Sequence, residues 1–167
     1  MKTSDDVEKH MLLGHKYFFD QPRDVEAAMQ EFLRVTELAP NWSEGLGWLS
    51  ASLEELGQTD EAIAVIRKAI NIAPKDSRYL TSLGKMLVKK GEHLEAVEVL
   101  TNALSSKPNY GEADIRMLLA EALIALSMNK KAYQECKAVL KLEPSYPSYE
   151  GPLQEAKRMI AKYRLNK

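Results

Sequence analysis

Prolines recur along this chain at a nearly fixed interval. Pro40, Pro74 and Pro108 stand 34 residues apart, and Pro144 follows 36 residues later. Other columns keep the same register. Twelve residues before each proline lies an alanine: Ala28, Ala62, Ala96 and Ala132. Eight before lies a larger apolar residue: Phe32, Ile66, Leu100 and Cys136. Earlier in each period a leucine precedes a small residue: Leu13-Gly14, Leu49-Ser50, Leu83-Gly84 and Leu119-Ala120. Self-similarity at such a period is the mark of stacked units, each too short to bury its apolar face alone.

Apolar residues in each period recur at i, i+3, i+4 and i+7, which predicts two amphipathic helices per unit. The small residue of the first helix and the alanine of the second let the two helices approach closely. The large apolar residue fills the space between units. Proline ends the second helix, because it lacks an N–H and disfavours helix in the residue before it. Gly57-Gln58-Thr59-Asp60 and Gly91-Glu92-His93 supply a glycine stop followed by a polar start.

The pattern resembles the tetratricopeptide repeat (TPR) family. The second unit reads Leu46, Leu49-Ser50, Leu53, Ala62, Ile66, Ala69, Pro74. The third reads Leu80, Leu83-Gly84, Leu87, Ala96, Leu100, Ala103, Pro108. The resemblance covers about residues 7–146. It implies an all-α, right-handed α-solenoid of four antiparallel helix pairs, expected at about 7–42, 43–76, 77–110 and 113–146. The whole of 1–167 is then a single domain. The first unit departs by two extra residues near Asp20-Gln21-Pro22-Arg23 and by Val35 where alanine is usual. The fourth follows a longer linker, Asn109-Tyr110-Gly111-Glu112, with Arg116 in place of Trp or Leu and Val139 in place of alanine. End units of solenoids often deviate in this way.

Beyond Pro144, Leu153, Ala156, Met159, Ile160 and Tyr163 recur at helical spacing, with Lys157, Arg158, Lys162 and Arg164 off the stripe. A capping helix at about 148–164 is expected, covering the open end of the fourth unit. The alternative use of such a basic helix is an acidic partner or a membrane surface.

A net charge of −1 argues against a dedicated nucleic-acid binder. No run of residues is apolar enough to insert into a membrane. The residues Met1 to Asp6 contain no apolar h-region, so a cytoplasmic protein is expected. Cys136 is the single cysteine and cannot form an internal disulfide; in the large-apolar column it reads as a buried, inert thiol. His10, His15 and His93 lack a second ligand at metal spacing, and no phosphate loop or nucleophile elbow is present. Neither an enzyme nor a cofactor is expected.

The resemblance also implies where partners bind, since the first helix of each pair lines the concave side in this family. Carried over residue by residue, the lining includes Met11, Leu12, His15, Phe18 and Phe19 from the first unit and Trp48 from the second. The third supplies Arg78, Lys85 and Lys89, and the fourth Met117, Leu118, Glu121 and Ile124. The expected function is a scaffold that binds a peptide or amphipathic helix of a partner protein, with an apolar face and at least one acidic group. Self-assembly, for example as a homodimer, and a regulatory role within a larger protein are the alternatives. The aromatics could instead pack on each other while the lysines only solubilise. The two-carboxylate clamp of chaperone-binding members is not expected. Its places hold Met11, His15, Trp48, Arg78 and Ser82 counted from the first unit. From the second they hold Gly47, Ala51, Ser82, Asp114 and Leu118.

Overall fold

A computed structural model of the chain describes residues 2–108, 111–142 and 150–163. All regular structure among them is helical. The elements are α1 (Lys2–Phe19), α2 (Val25–Leu38), α3 (Ser43–Glu55), α4 (Thr59–Ile72), α5 (Ser77–Lys90), α6 (His93–Ser105), α7 (Glu112–Ala125), α8 (Asn129–Val139) and α9 (Glu150–Tyr163). Internal contacts gather into two compact units, Met1–Ser82 and Leu83–Lys167, divided within α5.

In the first unit α1 packs on α2, α2 on α3 and α3 on α4. The columns read from the sequence are the core. Ala28, Phe32, Val35, Ala62 and Ala69 are completely buried, and Ile66 nearly so. The small residue of each first helix is a steric requirement. A Cβ added to Gly14 would stand 2.5 Å from the Phe32 ring. At the matching place in α3, Ser50 is buried and its hydroxyl donates to the Ala62 carbonyl at 2.9 Å, tying α3 to α4. The departure at Val35 has its own compensation. Gly45 of α3 faces it, and a Cβ there would meet Val35 Cγ1 at 2.6 Å.

The turns follow from local chemistry. Five residues separate α1 from α2 and three separate α3 from α4, which accounts for the two-residue insertion. The α1–α2 connection contains a cis Gln21–Pro22 bond, and Asp24 caps α2 by accepting from Ala27 N–H at 2.9 Å. Ala39 and Ala73, just before Pro40 and Pro74, leave the helical region, with ψ values of 69° and 73°. Proline imposes that change on the residue before it. Gly57 takes φ +76°, the left-handed helix stop that glycine adopts without steric cost.

In the second unit α6 packs on α7 and α7 on α8, while α9 covers both α7 and α8. Ala96, Leu100, Ala103, Ala120, Ala132, Cys136 and Val139 are completely buried. Gly84, in the part of α5 within this unit, repeats the Gly14 device: an added Cβ would meet Leu100 at 2.5 Å. Ala156 is the fully buried contact of α9, and Leu153, Met159 and Ile160 are partly buried beside it. Tyr163, placed on the apolar stripe by spacing, is exposed instead, at the last described turn. Lys157, Arg158 and Lys162 are exposed as expected. The expected helix terminator Pro144, the linker residues Asn109 and Tyr110, and Arg164 lie outside the described residues.

Arg116 stands where an apolar residue is usual, and it is held by two carboxylates. It donates to Glu112 at 2.9 Å and to Glu135 of α8 at 2.6 Å. Burial opposes its charge, but these hydrogen bonds outweigh that effect and raise its pKa. An ion pair therefore joins α7 to α8 where the second and third repeats have Leu46 and Leu80.

Candidate functional site

The most distinctive surface of the first unit is a cluster of rings where α1 and α2 meet α3. His15, Phe18 and Phe19 come from α1, Phe32 from α2 and Trp48 from α3. The Trp48 indole touches all four others. Its centroid lies 4.6 Å from His15, 5.8 Å from Phe18 and 5.5 Å from Phe19, each edge-on. It stacks on Phe32 at 5.8 Å with an interplanar angle of 20°. Edge-to-face and offset-stacked rings at such distances are the favoured arrangements. Arg23 fastens the rim: its guanidinium lies 4.9 Å from the Phe18 centroid, donates to the Phe18 carbonyl at 2.7 Å and approaches Glu55 at 3.6 Å.

This geometry divides the expected lining residues. Phe18 and Met11 are buried, so they belong to the packing beneath the surface and do not line a groove. Leu12 and Phe19 do face out, with 70% and 58% of their surface exposed. Seven residues separate them, two helical turns, so they share one face of α1. His15 and Trp48 are half-buried between them and the core. The aromatics thus pack on each other, and an apolar outer edge still remains uncovered. His15 Nε2 is buried and has no hydrogen-bond partner among the described residues.

Arg78 is exposed but already has a partner within the chain. The sequence offers it as a cation for a partner, but it is bound to Asp76. Its side chain donates to both Asp76 oxygens, at 3.1 and 2.7 Å, while its backbone N–H donates to Asp76 Oδ1 at 3.0 Å. The Arg78 side-chain hydrogen bonds are the largest influence on Asp76 and hold its carboxyl below the ordinary value. The pair caps the start of α5. Tyr79 next to it is buried, and its ring occupies the space that Gly47 leaves open: a Cβ there would fall 2.8 Å from the ring.

In the second unit Lys85 and Lys89 are exposed on α5, and Glu121 on α7. Leu118 and Ile124 are half-buried. Met117, expected in the lining, is buried in the core of this unit. Cys136 is fully buried, and loss of solvent pushes its thiol up to about 11. His10 bridges α1 to Glu31 of α2 at 2.6 Å. Among the described residues no group of three or more His, Cys, Asp or Glu is placed to hold a metal ion. No described helix is long and apolar enough to cross a membrane.

Sequence reasoning missed two features. One is the role of Phe32 as a member of the ring cluster; its repeat column announced only a filler between units. The other is a cleft between α6, α7 and α8, whose lining comes from three helices and forms no local motif.

Known proteins resemble this chain in sequence and in fold. Tetratricopeptide repeat models match residues 43–76 and 87–162. Human tetratricopeptide repeat protein 17 is 30% identical over 158 residues, covering 91% of this chain and 13% of its own length. The TPR2B domain of yeast Sti1, solved in complex with pHsp70, superposes with a TM-score of 0.65 at 26% identity, covering 71% of this chain and 96% of that one. Pseudomonas aeruginosa pilF shares the fold with a TM-score of 0.81 at 18% identity, covering 98% of this chain and 72% of its own. The chain spans 9%, 25% and 13% of the first three curated relatives that it matches. The repeat columns, the steric logic of Gly14 and Gly84, and these matches to more than half of the sequence agree: the chain belongs to the tetratricopeptide repeat family.

Proposed function

We propose that this chain is a protein-interaction module whose α1–α3 face receives an apolar segment of a partner protein. One observation carries the reading. Leu12 and Phe19 stand exposed along α1, beside a ring cluster that fixes Trp48 at their flank. Large apolar side chains side by side on a surface mark interaction sites, and a preorganised tryptophan buries much area with little loss of entropy. The helical-repeat fold and the solved complex of the Sti1 domain support a binding role over a catalytic one. The residues at the clamp positions argue for a mode other than chaperone-tail recognition, since Met11, His15 and Trp48 supply no pair of cations for two carboxylates.

The test is affinity capture from a native lysate with wild type and a Leu12→Asp/Phe19→Asp variant. Both substituted helix positions are exposed, so circular dichroism should report an unchanged fold. A protein retained by wild type and lost by the α1 variant supports the reading. Identical retention by wild type and the α1 variant overturns it.

A further inference from the structure

The rings of the first unit already hold one cation. The Arg23 guanidinium lies 4.9 Å from the Phe18 centroid and approaches the Glu55 carboxylate at 3.6 Å, so a ring and an acid receive it together. A guanidinium suits that pairing, because its flat face stacks on rings while its edge donates to carboxylates. Arg23 uses Phe18, which is buried. The neighbouring rings are open to solvent. Phe19 is 58% exposed and Trp48 half-buried, and they meet at 5.5 Å and 86°, which makes a right-angled corner.

The charges around this corner have one prevailing sign on the side toward α3. Glu44 stands one turn before Trp48 and Glu55 two turns after it, and between Trp48 and Glu55 the same helix face carries the small Ala51. Glu8 stands one turn before Leu12 on α1 and is exposed. The cations nearby do not cancel these acids. Arg78 feels Glu44, but its side chain is bound to both Asp76 oxygens. Lys9 and Lys16 lie on the far flank of Leu12. At roughly 100° per residue they stand on the opposite side of it from His15, whose contact with Trp48 marks the α3 side, while Glu8 stands on the His15 side. Glu8, Glu44 and Glu55 together outnumber Arg23 there.

We propose, building on the docking role of the α1–α3 face, that its occupant is a basic apolar segment of a partner protein. Its aliphatic side chains cover Leu12 and Phe19, and an arginine beside them enters the corner of Phe19 and Trp48 with its guanidinium turned to Glu55. The partner thus repeats on the open rings what Arg23 does on the buried one. The acidic partner group expected from Lys85 and Lys89 concerns residues of the other unit, and the charges beside the rings have the opposite sign.

Three synthetic peptides test the charge. They share one amphipathic helix with a leucine face and differ only at the positions flanking it, which hold arginine, glutamine or glutamate. Each is titrated into the full chain while the Leu12 methyls and the Trp48 indole N–H are followed by NMR. The arginine peptide should shift both saturably and bind about ten-fold more tightly than the glutamine peptide, the combined size of one exposed cation–π contact and one exposed ion pair. The glutamate peptide should bind more weakly still. Glu55→Gln and, separately, Glu44→Gln should each reduce the advantage of arginine by about three-fold and leave the glutamine peptide unaffected, with the fold checked by circular dichroism. No saturable shift with the arginine peptide, equal binding of the arginine and glutamine peptides, or an arginine advantage undiminished in both variants would each overturn the proposal. Shifts of the same signals on concentrating the chain alone would make a second copy the occupant and overturn it too. The docking face is judged by a different result, unchanged capture by the Leu12→Asp/Phe19→Asp variant, so failure of the charge reading and failure of the face are told apart.

Discussion

Gly14→Ala is the smallest change that tests the packing logic of the repeat. The new Cβ would stand 2.5 Å from Phe32 Cε1 and 2.8 Å from Cδ1 and Cζ, well inside van der Waals contact. One of the two helices, or the ring, must move by close to 1 Å. The ring has little freedom. Phe32 is completely buried, stacked on Trp48 and held edge-on by His15 at 5.6 Å. Overpacking of this kind costs about 1–3 kcal/mol, and the rigidity of the cluster places this site at the upper end. Against it stands the gain from replacing glycine within a helix, about 1 kcal/mol. The net loss is about 1–2 kcal/mol, or roughly 5–10 °C in Tm for a unit of this size. Trp42 and Trp48 both lie in Met1–Ser82, so tryptophan fluorescence during heating reads this unit selectively. Gly151→Ala is the control, because a Cβ at Gly151 of α9 meets nothing within 4 Å. Phe32→Leu should lower Tm by itself yet shrink the further penalty of Gly14→Ala, giving a positive coupling in a double-mutant cycle. A Gly14→Ala protein as stable as wild type would refute the claim that contact with Phe32 dictates glycine here.

Three other outcomes are expected. Ser127 holds φ +60° at the helix stop where the second repeat has Gly57 and the third Gly91; Ser127→Gly should stabilise by about 1 kcal/mol in urea denaturation followed by circular dichroism. Asp76 has a lowered pKa in the folded state, so its contribution is complete above the ordinary aspartate range and fades as pH falls through the lower folded value. Asp76→Ala should therefore cost about 1 kcal/mol at pH 7, with the gap to wild type closing progressively below pH 4. Cys136, fully buried with its thiol at about 11, should react with Ellman's reagent at pH 8 far more slowly in the native protein than in urea; equal rates would place it outside the core.

The fold was legible because repeats sample one set of contacts several times. Columns such as Ala28–Ala62–Ala96–Ala132 name buried positions without any knowledge of tertiary structure, since one residue in each repeat must meet the same environment. The site was only partly legible, because binding faces lie on positions that the repeat does not constrain. The family resemblance placed Leu12, Phe18 and Phe19 together on the first helix. It could not tell that Phe18 turns inward under Arg23 while Phe19 stays out. Arg78 and Met117 mark two further limits of that reading. A cation two positions into a helix is as well suited to the cap before it as to a partner, and Asp76 took it. Met117 lies on a helix that is apolar almost all round, so periodicity assigns it no side. Leu119 and Leu123 were readable as core. The cleft above them depends on α6 and α8, and no one-helix pattern contains it.

His15 offers the sharpest contrast between stability and binding. Its Nε2 is buried without a hydrogen-bond partner, an arrangement that costs about 1–3 kcal/mol relative to a satisfied group. Its ring nevertheless touches Phe19, Phe32 and Trp48, with centroids at 6.2, 5.6 and 4.6 Å. A phenyl ring at this place would keep those contacts and remove the orphaned nitrogen. His15→Phe should therefore raise the tryptophan-monitored Tm by several degrees, even though one more apolar ring must fit a half-exposed position. If the α1–α3 face is the docking surface, the nitrogen gains its partner when a bound segment brings a polar backbone group, and the same substitution should weaken capture of that partner while strengthening the fold. A variant with raised Tm and undiminished partner binding would show that His15 serves neither role. A lowered Tm would mean that the ring cluster depends on the imidazole itself, and the account of Nε2 as an unsatisfied group would be wrong.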